Sequence, residues 1–141
     1  MDGAKLIERI RLKNILSFGS EGQEIALEPL NVLIGPNGSG KSNFIEALSL
    51  LRAAPGDLLT PIRTGGGTAE WLWKGGPAHP VAEVDVAIRY PEGIQSLRYQ
   101  LSFTATENRF GLVDESIENT ESVDDFEVPF YFYHYDELTF R

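Results

Sequence analysis

The sequence has no cysteine, which excludes a disulfide scaffold, a thiolate metal site and a cysteine nucleophile. Basic charge is also scarce, with 12 Lys and Arg against 21 Asp and Glu, a net charge of −9. That balance argues against this chain alone gripping a nucleic-acid backbone. No apolar run is long enough to span a bilayer, and no basic-then-apolar leader of the secretory kind opens the chain. No internal repeat or low-complexity tract is found. A cytoplasmic protein is the simplest expectation. With 141 residues, 42% of them hydrophobic, the chain is one domain's worth of sequence and can bury a real core.

Residues 6–14 alternate, with Leu6, Ile10 and Leu12 opposite in parity to Arg9, Arg11 and Lys13, and predict a half-buried strand. A turn comes next at 17–22, then a short strand through Ile25 and Leu27 that ends at Pro29. The apolar run 30–34 suits a strand buried on both faces. Residues 41–54 read as a helix, with Phe44, Leu48 and Leu51 at helical spacing, stopped by Pro55-Gly56. Residues 56–80 are poorly patterned and glycine-rich, and predict a mobile surface segment anchored by Trp71 and Trp73. Two alternating stretches, 83–90 and 97–104, flank Pro91-Glu92-Gly93 and predict an antiparallel hairpin. A third strand at 110–117 would extend it, completing a β region over 81–117. Residues 118–127 are acidic and read as a loop, and 128–135 read as a last, aromatic strand.

Between the apolar run and the helix lies Gly35-Pro36-Asn37-Gly38-Ser39-Gly40-Lys41-Ser42. This matches G-x-x-x-x-G-K-[ST] in full, in the strand–loop–helix setting its mechanism requires. Gly35, Gly38 and Gly40 let the backbone turn tightly and approach oxygen atoms that a Cβ would block. The loop's N–H groups and the helix N-terminus then face a phosphate chain. Lys41 brings a flexible point charge, and Ser42 a hydroxyl suited to Mg²⁺. The expected ligand is ATP with Mg²⁺. A positive field is thereby built from peptide dipoles inside an acidic protein.

The loop, together with Asn43, Glu46 and Ala47 just after it, resembles ATPases of the ABC superfamily. Within it the chain is similar to the branch holding RecF-like and structural-maintenance-of-chromosomes (SMC) proteins. The opening 10–18, and the stretches Ile62-Arg63-Thr64-Gly65-Gly66-Gly67 and 70–75, resemble the same branch and its RecF-like bacterial members. The likeness is closest at 31–51. It implies a mixed α/β head, an antiparallel β-lobe with a strand–P-loop–helix unit, of which residues 1–141 are the N-terminal part. It also implies that Asn14 and Phe18 lie near base or ribose. ATP is commonly sandwiched between two such heads, so a second head is the implied partner, as a homodimer or with the missing remainder of the domain.

ABC-type hydrolysis also needs a signature segment and a Walker B carboxylate pair. Leu16-Ser17-Phe18-Gly19 has signature-like letters but precedes the P-loop, the wrong order. Phe130 to Glu137 is a hydrophobic run ending in Asp-Glu. Read as Walker B, it makes Asp136 a metal-supporting carboxylate and Glu137 the residue that orients water. Read plainly, it is an aromatic strand and a polar turn. Val113-Asp114-Glu115 reads as a solvated strand end, and His79 and His134 as surface or packed histidines. The isolated chain is expected to hydrolyse ATP slowly or not at all. The competing readings are a small P-loop kinase and a nucleotide-binding scaffold module without hydrolysis.

Overall fold

The computed structural model describes residues 5–121 and 131–136. Its frame is a six-stranded antiparallel sheet built from β1 (Ile7–Lys13), β2 (Gln23–Ala26), β3 (Ala82–Ile88), β4 (Leu97–Thr106), β5 (Arg109–Asn119) and β6 (Tyr131–Asp136). The order across the sheet is β2-β1-β3-β4-β5-β6. Period-two alternation sorts each strand into two faces. Ile10, Val86, Tyr99, Ile117 and Tyr133 form one cross-strand row on the apolar face. Leu12, Val84 and Leu101 form the next row and are essentially inaccessible to solvent.

Helix α1 (Lys41–Ala53) joins that face to make the core. Phe44, Ala47 and Leu50 are its buried residues, at i, i+3 and i+6, and they cluster with the sheet residues. Leu48 and Leu51 are half-buried on the side of α1 that borders an open apolar groove of about 800 Å³, closed on the sheet side by Val86, Tyr99 and Ile117. Tyr99 crosses to β5 there, and its hydroxyl donates to Glu115 at 2.7 Å. Burial and the adjacent Glu115 carboxylate both push the Tyr99 hydroxyl's pKa upward, so it stays a donor. Glu115 also accepts from Tyr133 at 3.2 Å, so it is a cross-strand partner within the sheet rather than a solvated strand end.

Three sequence expectations need correction. Residues 30–34 form no strand, and Leu30, Val32 and Ile34 are 84%, 75% and 91% exposed. A strand buried on both faces needs neighbours on both edges, and among the described residues none pairs with this run. Its start is instead clasped locally, with Asn31 accepting from Glu28 N at 2.9 Å and donating to Glu28 O at 2.7 Å. Second, 56–80 is not a loose surface segment. It carries α2 (Leu59–Thr64) and α3 (Thr68–Trp71), and Ile62, Thr68, Trp71 and Leu72 are buried. Gly65 lets Trp71 in: a Cβ there would stand 2.5 Å from the indole Nε1. Third, Glu118 and Asn119 are not loop but the end of β5, because Arg98 supplies Glu118 with a partner at 3.3 Å. The remaining strands and the helix stand within a residue or two of where alternation and periodicity put them, with residues 128–130 of the expected last strand outside the described residues.

Candidate nucleotide site

The P-loop residues 35–42 are brought together at the start of α1. Gly38 and Gly40 take φ of 84° and 96°, the left-handed region in which a side chain is strained. A Cβ on Gly35 would meet Ser39 Oγ at 2.7 Å, so a side chain there would force Ser39 to move. Gly40 is the N-cap of α1 and provides no side-chain cap. The first turn holds no acidic residue either. The helix therefore presents its first N–H groups and the positive end of its dipole with nothing of its own to satisfy them. Asn37, Ser39 and Ser42 are exposed around this end.

Lys41 folds back over the loop. Its ammonium donates to Gly35 O, to Pro36 O at 2.9 Å and to Ser39 Oγ at 3.4 Å. The lysine thus fixes the carbonyl side of the loop, where Ser39 N also donates to Pro36 O at 3.2 Å, while the uncapped helix end remains for an anion. This arrangement fits a polyphosphate: a glycine-lined loop, the free N–H donors of the helix end and one cation. For a divalent ion, Ser42 is the protein ligand at hand. Among the described residues no group of three or more His, Asp or Glu is placed to hold a metal. An ion here would take its other ligands from phosphate and water.

The turn after β1 flanks the loop. Ser17 Oγ lies 3.3 Å from where a Cβ would project from Gly40. Ser17 was not legible as a site residue, since only the folded turn carries it to the helix end. Asn14 spends its side-chain amide N–H on Val81 O at 3.2 Å, and its buried Oδ1 has no partner among the described residues. Phe18, expected near base or ribose, is only 8% exposed and packs in the hydrophobic core. Its ring supports the turn from below, because an aromatic between two apolar walls gains more from burial than from the surface.

Of the Asp-Glu pair, the structure describes the backbone of Asp136. Asp136 pairs with Asp114 in β6, an edge strand separated from β1 by β3, β4 and β5. Glu137 lies outside the described residues. β6 is antiparallel and exposes Tyr131, Phe132 and Tyr133, unlike the buried aliphatic strand of a Walker B element. His134 lies 3.3 Å from Asp114 and stacks on Tyr131. His79 is exposed.

Residues 30–140 match the family model described as "AAA domain, putative AbiEii toxin, Type IV TA system". The chain belongs to this family. It is also similar to ABC-type P-loop ATPases of the RecF- and SMC-like branch. Forty-five residues are 44% identical to the DNA double-strand break repair Rad50 ATPase of Methanopyrus kandleri, covering 32% of this chain. The chain spans about 5% of that curated relative's length. Among solved structures, one described by ATP-driven dimerization and DNA stimulated activation of SMC ATPases matches with a TM-score of 0.52 and 21% identity. The match covers 76% of this chain and 72% of the other, and establishes the ABC-type head fold, a mixed α/β architecture with an antiparallel sheet. No helix among the described residues is long and apolar enough to cross a membrane.

Proposed function

We propose that this chain binds ATP with Mg²⁺ at residues 35–42 and supplies the P-loop half of a cytoplasmic ATPase head. The observation that carries this reading is the uncapped N-terminus of α1 behind two left-handed glycines, with Lys41 folded over the loop carbonyls. Gly35, Asn37, Gly38, Ser39, Gly40 and Lys41 hold the polyphosphate, and Ser42 ligates Mg²⁺. Bound Mg²⁺ would screen the charge on the β- and γ-phosphates. Asn14 stands on the flank toward the nucleoside.

The exposed apolar run 30–34 supports a head completed by further strands, because such a run is a core strand without its sheet. The relatives support a role for ATP in head association, in DNA maintenance or defence. With a net charge of −9, any DNA contact falls to other parts of the assembly. Steady-state phosphate release tests the reading. The chain alone is expected to turn over slowly or not at all, and the complete protein measurably. Transfer of the γ-phosphate to a metabolite instead of water would overturn it in favour of a kinase.

A further inference from the structure

The turn at residues 14–19 carries features that strand connection alone does not need. Asn14 and Leu16, neither a glycine, take φ of 53° and 52°. Two such residues in one short turn are costly and persist only where the surroundings over-determine them. Here they do. Asn14 N donates to Gly19 O at 3.1 Å, and Ile15 and Phe18 exchange backbone hydrogen bonds at 3.1 and 2.8 Å. Leu16 N donates to Trp71 O at 2.7 Å, and Trp73 N to Asn14 O at 3.0 Å. The Trp73 indole then lies against Gly19, where a Cβ would come within 3.2 Å of the ring. Ile15 and Phe18 anchor the turn in the core.

One side chain of this rigid turn points away from all that packing. Ser17 is exposed, its hydroxyl makes no hydrogen bond among the described residues, and it stands 3.3 Å from the Cβ position of Gly40. Gly40 is the N-cap of α1, where the helix's first N–H groups open onto the loop. A hydroxyl held there can donate to an anion on the helix end without moving.

We propose that Ser17 is a direct ligand of the polyphosphate bound by the P-loop, donating from outside the 35–42 motif, and that Trp71 and Trp73 position it through the turn. The proposal rests on the ATP reading above and adds a residue to that same site. The ligand chemistry is a phosphate chain, and the nucleoside contributes nothing to this contact.

The test titrates the full chain calorimetrically, with Mg²⁺ present, against ATP and against inorganic tripolyphosphate. Ser17→Ala should weaken both ligands about five- to tenfold, the scale of one hydrogen bond to a charged group. Ser17→Thr should restore both, because it keeps the hydroxyl. Ser17→Asp should weaken both further, by like-charge repulsion at an exposed position that leaves the melting temperature unchanged. Ala and Asp variants within twofold of wild type for both ligands would overturn the proposal. So would a loss confined to ATP, which would assign Ser17 to the nucleoside. A wild-type chain that binds neither ligand would remove the P-loop reading itself. Tight binding of both ligands by wild type and by Ser17→Ala alike would remove only this contact.

Discussion

Arg98 grips Asp85 across the β3–β4 ladder, its Nε 3.0 and 3.1 Å from the two carboxylate oxygens and its Nη2 on one of them. The pair sits on the polar face of the sheet, opposite the groove. Arg9 adds a second guanidinium at 3.2 Å from Asp85, and Arg98 continues to Glu118 on β5. A chain of alternating charges therefore runs across four strands where alternation puts polar residues.

This chain of charges sets an acid limit on stability. Burial works to raise the Asp85 pKa, but the hydrogen bonds and charge of Arg98, with Arg9, outweigh it and hold the carboxyl below its ordinary value of 3.8. A folded-state pKa below the unfolded one gives stabilisation that is full above the unfolded value and fades as pH falls through the folded value. Wild-type stability should therefore decline below about pH 4 in part through Asp85, and Asp85→Asn should flatten that decline. At pH 7, Arg98→Met should cost about 1–3 kcal/mol in urea unfolding, less than a fully buried pair because Arg98 stays partly solvated.

Gly65 makes room for Trp71. A Cβ there would approach the indole at 2.5 to 3.1 Å, against a ring that is 2% exposed and cannot swing aside. Gly65→Ala should lower stability by about 1–3 kcal/mol through overpacking. Thermal unfolding followed by tryptophan emission would register it. Because Trp71 O accepts from Leu16 N, the same variant should also loosen the turn beside the P-loop.

The exposed run 30–34 contributes little to the fold of this chain. Replacing Val32 and Ile34 together by Thr should change the melting midpoint by less than that expected for about 0.5 kcal/mol, as for surface positions generally. The same change should reduce self-association seen by light scattering, since it removes apolar surface. A large loss of stability would mean that the run is buried in this chain after all.

Much of this was legible in the residues. Alternation of Val84, Val86 and Ile88 against Glu83 and Asp85 placed β3, and the spacing of Phe44 onward placed α1, because each pattern is set by contacts along one element. The P-loop was legible for the same reason: its glycines, lysine and serine act locally. What alternation could not reveal depends on partners far along the chain. The run 30–34 has the composition of a buried strand but finds no neighbour among the described residues. Residues 56–80 look unstructured because their glycines suggest mobility, yet Gly65, Gly75 and Gly76 are there to admit Trp71 and Trp73. Phe18 carries the letters of a base contact, and only the packing of the turn shows it buried. Ser17 becomes a candidate only through its approach to Gly40.

The most direct test of the nucleotide reading is calorimetric titration of ATP with Mg²⁺ into the wild-type chain and into Lys41→Ala. Lys41 is half-exposed at the start of α1 and its ammonium bonds only within the loop, so the variant should keep the core and a melting curve close to wild type. Wild type should bind saturably, and the variant should lose at least about a hundredfold in affinity, from removing the loop's one cation. Equal affinity in both chains, or no heat in either while both remain folded, would contradict the reading.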